Sequence, residues 1–360
     1  MRASGVVLLI VALVGACQTP SATSNETPTG TSPASTANAS RSSEAIPSAA
    51  PVRLLVDTDG APDDLVAISF LVAAPNVSIA ATTVSGTGEV HCPRGVDVIL
   101  GLLERLDAPQ IPVACGDDRP IALDHAFPDL FRSNADAAAG LDLPPTSRTR
   151  AGADAADLIA SISLAGDGRI RILTLGPLTN LAQALRERSL SEGIEAIYVM
   201  GGAVDVPGNI AGSPGGPQDN TTAEWNVYVD PAAMAAVLDA GMTVRLVSLD
   251  GTNQVPVTSS FAQRVTSAGG GPALAVLAEL FQKNDYMTSG SYYLWDTVAA
   301  VAAAGYPIGE FTDAHLSVDL TDGPTSGATR RGEGAANAAY LTRADASLIE
   351  GLIVSIMSGS

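Results

Sequence analysis

Short β-branched runs alternate with alanine-rich runs of helical period from Val52 onward, and this alternation constrains the fold most strongly. The predicted strands are Val52–Asp59, Val77–Ser85, Ile111–Ala114, Ile170–Leu175, Ile194–Met200 and Thr243–Leu249. The predicted helices are Asp63–Ala73, Val96–Leu106, Ala155–Leu164, Leu178–Arg188, Pro231–Ala240, Pro272–Lys283, Thr297–Ala304 and Ala344–Met357. Such alternation, with nearly continuous apolar strands, is typical of parallel sheets covered on both faces. We therefore predict an α/β fold: a single domain at residues 51–360, with a mostly parallel open sheet and helices on both faces.

The first residues indicate export. Arg2 precedes the apolar stretch Val6–Val14, which is much too short to span a bilayer. The stretch runs into Val14-Gly15-Ala16-Cys17, which resembles a bacterial lipobox, where a cysteine after small residues becomes the acylated first residue. We therefore expect residues 1–17 to be a lipoprotein signal peptide with Cys17 as the lipidated residue. An ordinary signal peptide with a cysteine near the cleavage site is the alternative.

Residues 18–50 are rich in Ser, Thr, Pro and Ala and nearly free of large apolar residues. A segment of this composition cannot bury enough surface to fold, so we expect a disordered tether between the lipid and the domain. These features together predict an exported protein, lipid-anchored on the outer face of the bacterial cytoplasmic membrane. The anchor would be its only contact with the membrane.

The charge of the chain limits its partners. There are 38 acidic residues against 19 basic ones, which gives a formal net charge of −19. Such a surface repels phosphate backbones, and no basic cluster interrupts it, so we expect no nucleic-acid partner. A small neutral or cationic molecule fits better. Cys92 and Cys115 either form a disulfide or remain free thiols, and the sequence is compatible with a homo-oligomer without fixing the oligomeric state.

A cluster of acids follows the first predicted strand, with four carboxylates within eight residues: Asp57, Asp59, Asp63 and Asp64. In an open parallel sheet, ligands bind beyond the carboxyl ends of the strands, which is where these acids fall. Capping of the next helix would explain Asp63 and Asp64. Capping does not explain Asp57 and Asp59, which fall at the end of a buried strand. Carboxylates at such a place repel one another unless a cation binds between them. Oxygen ligands of this kind favour calcium or magnesium over zinc.

Several motifs in the same order resemble the inosine–uridine preferring nucleoside hydrolase family. The acid cluster keeps all four acids of the family's Asp-x-Asp-Pro-Gly-x-Asp-Asp pattern at the same spacing, with Gly60-Ala61-Pro62 in the middle. The similarity continues through Thr82-Thr83-Val84, Gly176-Pro177-Leu178-Thr179-Asn180-Leu181-Ala182, Met200-Gly201-Gly202, Pro207-Gly208-Asn209, Ala223-Glu224-Trp225-Asn226, Asp230-Pro231 and Trp295-Asp296. Motifs in one order over most of the chain are far more specific than a single match.

The resemblance implies calcium-dependent hydrolysis of the N-glycosidic bond of ribonucleosides to free base and ribose. The calcium ligands that it implies are the side chains of Asp59, Asp64 and Asp296 and the backbone carbonyl of Leu175. Asp59 would also be the general base that takes a proton from the attacking water. The positions expected to grip the ribose hydroxyls are Asp63, Asn209, Glu224 and Asn226. Asp57 would stand behind the ligands and hold their loop.

Besides Gly60-Ala61-Pro62, which stands in place of the family's Pro-Gly-x, the chain departs from the family at three places. Trp295 stands where many relatives have a histidine, which leaves open the proton donor to the departing base. Thr87 stands where the family has an asparagine after the second strand. An insertion at 210–222 makes Asn220 a competitor for the role of Asn209.

An aromatic group precedes Asp296 in the sequence and consists of Tyr286, Tyr292, Tyr293 and Trp295. These side chains either pack in the core or stack on a nucleobase, and a tyrosine hydroxyl could supply the missing proton. The sequence does not identify the preferred base.

Two other functions compete with hydrolysis of nucleosides. Asp57-Thr58-Asp59-Gly60 superficially matches phosphatases of the haloacid dehalogenase type, which need a downstream lysine followed by an acidic pair. The only lysine is Lys283, and the pair Asp117-Asp118 precedes it, so the order is wrong. The second alternative is a lipoprotein that binds nucleosides without cleaving them. The missing histidine favours that alternative, and the retained metal-binding acids oppose it.

Overall fold

A nine-stranded sheet forms the centre of the protein, in a computed structural model that describes residues 49–359. Its strands are β1 (Val52–Thr58), β2 (Val77–Val84), β3 (Val113–Cys115), β4 (Ile170–Thr174), β5 (Ile194–Met200), β6 (Val244–Val247), β7 (Gly309–Val318), β8 (Thr329–Gly332) and β9 (Ala338–Ala344). The order across the sheet is β3-β2-β1-β4-β5-β6-β9-β7-β8. All neighbouring pairs from β3 to β9 are parallel, whereas β7 runs antiparallel to both β9 and β8.

Helices cover both faces of this sheet. They are α1 (Pro62–Ala73), α2 (Cys92–Arg105), α3 (Asp129–Asp136), α4 (Ala155–Ser163), α5 (Thr179–Glu187), α6 (Trp225–Val229), α7 (Pro231–Leu238), α8 (Leu249–Thr252), α9 (Ser259–Ala268), α10 (Pro272–Lys283), α11 (Trp295–Ala303) and α12 (Ala346–Ser358). Because side chains alternate along a strand, Leu54 and Val56 of β1 face one core while Leu55 faces the other. The first core contains α1, α2 and α9–α12, and the second contains α4, α5 and α7. The predicted α/β fold, mostly parallel and covered on both faces, is confirmed.

The position of β1 determines where a site can form. It lies between β2 and β4, so that Asp57 stands beside Thr83 on one side and Thr174 on the other. The carboxyl ends of β1, β2, β4 and β5 therefore meet at one edge of the sheet. The loops that leave these strands converge there, which is the geometry that the acid cluster required.

All predicted strands and helices are present, most of them with shifted ends. The strands β7, β8 and β9 and the helices α3, α6, α8 and α9 are not among the predictions. Most residues of β7 are exposed or half-buried, so it carries neither an apolar run nor a clear alternation. The helix predicted from Ala344 begins at Ala346 because β9 continues to Ala344. Asp345 separates the two elements and caps the helix by accepting a hydrogen bond from Leu348 N at 3.0 Å.

Cys92, at the start of α2, and Cys115, at the end of β3, form a disulfide. Their Cα atoms are 5.5 Å apart, within the usual range for bonded cysteines. The alternative that the sequence left open is thereby decided in favour of pairing.

The predicted signal peptide at 1–17, with Cys17, lies outside the described residues, as does nearly all of the predicted tether at 18–50. Of that tether, Ala49 and Ala50 are described, and the Ala50 carbonyl accepts a hydrogen bond from Asn76 Nδ2 at 3.1 Å. Within residues 49–359, no helix is long and apolar enough to cross a membrane.

Candidate active site

The turn between β1 and α1 places three of the four predicted acids. Asp59 follows the last residue of β1, and Gly60 has a φ of 71°, a conformation that glycine adopts without steric cost. Asp63 and Asp64 lie in the first turn of α1, where the positive end of the helix dipole favours negative charge. All three carboxylates are buried.

A distant part of the chain completes the acid cluster. Asp296 lies in the first turn of α11, which packs against α1. One carboxylate oxygen from each of Asp63, Asp64 and Asp296 lies within 4.8 Å of the other two. The backbone N–H of Asp296 also approaches Asp63 Oδ2 at 3.4 Å. The N-termini of two helices, far apart in sequence, thus meet at one acidic centre.

Asp59 lies beside this centre rather than within its closest group. Its Oδ2 accepts a hydrogen bond from Glu89 N at 3.2 Å, and its backbone N–H donates to Asp64 Oδ1 at 3.0 Å. A Cβ added to Gly88 or Gly176 would lie 2.0 Å or 2.5 Å from Asp59 Cβ. These two glycines therefore allow the loops after β2 and β4 to close over Asp59.

The electrostatics of the centre call for a cation. Burial, and then the charge of Asp64, hold the pKa of Asp59 and of Asp296 well above the usual range of an aspartate. The same two causes raise the pKa of Asp63 to about 7. Asp64 Oδ2 and Asp296 Oδ1 are buried and accept no hydrogen bond from the described residues. Unpaired carboxylate oxygens that converge in this way are the donors that a hard divalent ion takes.

The residues predicted to hold ribose lie nearby, although some of their polar atoms bond to the protein. Glu224 caps α6 by accepting from Asn226 N at 2.9 Å, and it also accepts from Gly202 N at 3.0 Å. Asn226 Nδ2 donates to the Leu175 carbonyl at 2.8 Å and to the Met200 carbonyl at 3.2 Å. Both side chains line the same cavity as the acid cluster. Their orientation is fixed by these backbone contacts before any ligand arrives.

The structure separates the two candidate asparagines. Asn209 lines the cavity, and its Oδ1 accepts from Trp225 N at 3.2 Å, which leaves its Nδ2 available. Asn220 is buried away from the cavity, where its Nδ2 donates to Ser326 O at 2.9 Å and its Oδ1 accepts from Ala223 N at 3.1 Å. Asn209 is therefore the asparagine that can meet a substrate.

Asp57 is buried and does not line the cavity. Its Oδ1 accepts from Thr83 Oγ1 at 2.6 Å and from Asn180 Nδ2 at 2.8 Å, and its carbonyl accepts from Leu175 N at 2.8 Å. It thereby links β1 to β2, to α5 and to the end of β4. Burial raises the pKa of Asp57 to about 7.

The cavity above the acids has a volume of about 870 Å³, in the range of small-molecule sites. Aromatic side chains form much of its wall. Phe127 stacks on Trp225 with ring centres 5.0 Å apart, and Tyr292 and Tyr293 pack against Trp295 at 5.0 Å and 5.3 Å. The aromatic group predicted from the sequence therefore lines the cavity rather than filling the core. Tyr292 also donates its hydroxyl to Asp63 Oδ1 at 3.0 Å.

Two residues near the acids were not recognised in the sequence. Glu89 lines the cavity, and burial together with the charge of Asp63 raises its pKa to about 8. Arg132 of α3 is buried and donates to the Gly86 carbonyl at 3.0 Å, so it supports the loop that carries Glu89. The rule that polar residues after a strand face the site could have found Glu89. Nothing in the local sequence relates Arg132 to that loop.

Comparison with known proteins agrees with this geometry. The family model described as inosine-uridine preferring nucleoside hydrolase matches residues 54–349. Uridine nucleosidase 1 of Arabidopsis thaliana is 29% identical over 257 residues, which cover 69% of this chain and 73% of that protein. The pyrimidine-specific ribonucleoside hydrolase RihA of Klebsiella pneumoniae is 29% identical over 231 residues, 63% of this chain and 69% of that protein. The solved inosine-uridine preferring nucleoside hydrolase from Bacillus anthracis has a TM-score of 0.73 at 22% identity and covers 86% of this chain and 100% of that chain.

A mostly parallel sheet with buried, converging carboxylates beyond its carboxyl edge is the framework of an α/β enzyme with an acidic site that could hold a metal ion. The chain belongs to the inosine-uridine preferring nucleoside hydrolase family, and its activity is hydrolysis of N-ribosidic bonds. The family binds a metal ion, and the aspartate cluster of this chain can hold one. The predicted family and enzyme class are confirmed. The phosphatase and the binding-protein alternatives are set aside.

Proposed function

We propose that this chain hydrolyses ribonucleosides to free base and ribose in a calcium-dependent reaction. The observation that carries the proposal is the convergence of Asp63, Asp64 and Asp296, with Asp59 beside them, at the floor of an aromatic-walled cavity. Both acids and aromatic rings line this cavity, which matches a sugar joined to a base. Ribose hydroxyls can bond to the carboxylates, and the flat base can stack on the rings.

The ligands that we assign to calcium are Asp59, Asp64, Asp296 and the Leu175 carbonyl. All of them offer oxygen, which calcium prefers, and Asp64 and Asp296 each retain an unpaired buried oxygen. Bound at this position, the ion lowers the pKa of a coordinated water and orients the ribose diol. Its positive charge would also let the buried carboxylates remain ionised at neutral pH.

The chain's own residues then have defined tasks. Asp59 accepts a proton from the attacking water, whose oxygen bonds to C1′ while the electron pair of the C–N bond leaves with the base. Positive charge grows on the ribose as this bond breaks, and the carboxylates of Asp63 and Glu224 stabilise it. Asp63, Asn209, Glu224 and Asn226 hold the hydroxyls, and Asp57 holds the loop that carries Asp59.

The departing base needs a proton, and Tyr286 is the tyrosine best placed to give one. It lines the cavity, and its hydroxyl oxygen accepts from Asn134 Nδ2 at 3.3 Å, which leaves the hydroxyl proton free. Partial burial raises the pKa of Tyr286 to about 12, so the hydroxyl keeps its proton at neutral pH. A Tyr286→Phe variant should lose activity on inosine and retain activity on p-nitrophenyl riboside, whose leaving group needs no proton.

Release of free ribose from a nucleoside mixture tests the reaction. The purified protein should release ribose with calcium and should stop when a chelator is added. Asp59→Asn should lower kcat by a factor of roughly 10² to 10⁴, the contribution of a general base. Asp313→Asn, the same change at an exposed residue outside the cavity, is the matched control. Ribose release that persists in the chelator, or an unaffected Asp59→Asn variant, would refute the assignment.

Discrimination against 2′-deoxynucleosides tests the ribose contacts. A site built to bond a hydroxyl rejects the analogue that lacks it by on the order of 10⁴, because buried polar groups lose their partners. Inosine and uridine should therefore exceed their 2′-deoxy forms in kcat/KM by a large factor. Equal values would mean that the site does not read the diol.

We further propose that the mature protein begins at lipidated Cys17 and is held by the 18–50 tether on the outer face of the bacterial cytoplasmic membrane. The disulfide between Cys92 and Cys115 supports export, because structural disulfides persist in oxidising compartments. Expressed in a bacterium, a Cys17→Ala variant should leave the membrane fraction. Unchanged retention in that fraction would contradict lipid anchoring.

A further inference from the structure

Trp295 and Asn253 form a hydrogen-bonded pair in the wall of the cavity. Trp295 directly precedes Asp296, and its indole Nε1 donates to Asn253 Oδ1 at 3.2 Å. An indole N–H can only donate, so the oxygen of the asparagine amide must face the ring. The amide oxygen of Asn253 therefore faces Trp295, and the NH₂ group of the same side chain points away from the indole ring.

The backbone holds both members of the pair in place. Asn253 ends α8, where its N–H donates to the Leu249 carbonyl at 3.1 Å. The segment after α8 is tied to the segment before α11 by a hydrogen bond from Val257 N to the Tyr292 carbonyl at 2.8 Å. Asn253 and Trp295 thus belong to two adjoining segments that cannot separate without breaking this contact.

The NH₂ group of Asn253 is an available donor in the cavity. Asn253 is exposed and lines the cavity, and no group among residues 49–359 accepts a hydrogen bond from its Nδ2. Asn134, another amide in the lining, already donates to the Tyr286 hydroxyl. The acids of the cavity accept hydrogen bonds when they are ionised. Asn253, beside the aromatic wall, offers a hydrogen-bond donor instead.

We propose that Asn253 determines specificity by donating a hydrogen bond to a carbonyl oxygen of the nucleobase. The inference rests on the proposed function, because ribose held at the acids directs the base toward the rings of Tyr292, Tyr293 and Trp295. Hypoxanthine and uracil present a carbonyl oxygen that can accept from Nδ2. At C6 of adenine and at C4 of cytosine, an amino group stands where hypoxanthine and uracil have a carbonyl, and two facing N–H groups leave a donor unpaired. Because cytosine keeps its C2 carbonyl, inosine and adenosine give the cleaner comparison. The site therefore favours nucleosides of oxo bases over those of amino bases.

Two substitutions separate this role from a structural one. Asn253→Asp keeps the size of the side chain and an oxygen for the Trp295 indole, but it replaces the donor with a carboxylate oxygen. The ratio of kcat/KM for inosine to that for adenosine should fall about tenfold or more, since one hydrogen bond and a new repulsion change together. Trp295→Phe retains a ring but frees the amide to turn, so the ratio should move toward one without any change of charge.

The controls distinguish failure of the inference from failure of the proposed function. Gln263→Glu adds the same negative charge on α9, outside the cavity lining, and should leave the ratio unchanged. The Gln263→Glu control should also cleave p-nitrophenyl riboside, which has no such base, at the rate of the unaltered protein. Dissociation constants of inosine and adenosine for the calcium-loaded protein, read from tryptophan fluorescence on rapid mixing before the base is released, give the same comparison ahead of the chemical step. The inference is overturned if Asn253→Asp leaves the ratio of inosine to adenosine unchanged, either in kcat/KM or in these dissociation constants. If the unaltered protein releases no ribose but still binds inosine more tightly than adenosine, only the proposed hydrolysis is overturned.

Discussion

Stability that depends jointly on pH and on calcium follows from the buried acids. Burial and the charge of Asp64 raise the pKa of Asp63 from 3.8 to about 7 in the folded, metal-free protein. The folded protein then keeps a proton that the unfolded chain has already lost. This contribution to stability is complete below about pH 4 and is lost as the pH rises through about 7. The shift corresponds to about 4 kcal/mol in order of magnitude, since one pKa unit is worth about 1.4 kcal/mol.

Calcium should remove this dependence. An ion among the carboxylates takes the place of the proton, so calcium-loaded protein should keep its stability where the metal-free protein weakens. The difference in unfolding free energy between the two forms should be small near pH 4, and Asp63 should contribute about 4 kcal/mol to it near pH 8. Urea unfolding at a series of pH values, with calcium or with a chelator, measures that difference.

A matched pair of variants assigns the effect to the cluster. Asp63→Asn cannot titrate, so its chelated form should lose the part of the pH dependence that Asp63 contributes. Three other acids, whose pKa values are also raised, keep theirs: Asp59, Asp296 and Glu89. Asp313→Asn, at an exposed position, should retain it. Asp57, whose pKa burial also raises to about 7, lies behind the ligands, so part of the slope should remain in every form. Chelated protein that is equally stable at pH 5 and pH 8 would refute the reasoning.

Two further predictions concern the packing around the site. Gly88→Ala should abolish ribose release and calcium binding, because the new Cβ would lie 2.0 Å from Asp59 Cβ, whereas Gly351→Ala, in open space on α12, should not change either. Wild-type activity in the Gly88 variant would show that the loop can move. Replacing Cys92 and Cys115 by serine should reduce stability by about 3 kcal/mol and lower Tm by roughly 5–10 °C, because the bond closes a loop with a sequence separation of 23. An unchanged Tm in a thermal scan would show that the disulfide does not constrain the unfolded chain.

The parallel part of the fold could be predicted because its signals are local. Continuous apolar strands, and helices of regular period between them, appear in short windows of sequence. The acidic floor was also within reach, since Asp59 and Asp64 follow a strand and the resemblance pointed to Asp296. The antiparallel strands β7 to β9 were beyond reach because their pairing joins segments with little apolar pattern of their own.

Contacts between distant segments account for the rest. Which acids lie closest together depends on how α11 packs on α1, and no sequence window shows that Asp63 joins Asp64 and Asp296. Likewise, the amide of Asn226 could not be known to bond two backbone carbonyls. The resemblance named the residues of the site, but only the packing shows which of their atoms remain free.

The two acidic helix ends that meet at the cavity also determine when, during synthesis, the acidic centre can form. Asp63 and Asp296 are 233 positions apart, so the two halves of the centre leave the ribosome far apart in time. A nascent or truncated chain that ends before α11 carries two mutually repelling acids of the closest group without the third. Its affinity for an ion should be correspondingly poor, because a metal site rarely exists before folding brings its ligands together. Uptake of the ion therefore reports that synthesis has passed α11 and that α11 has packed against α1.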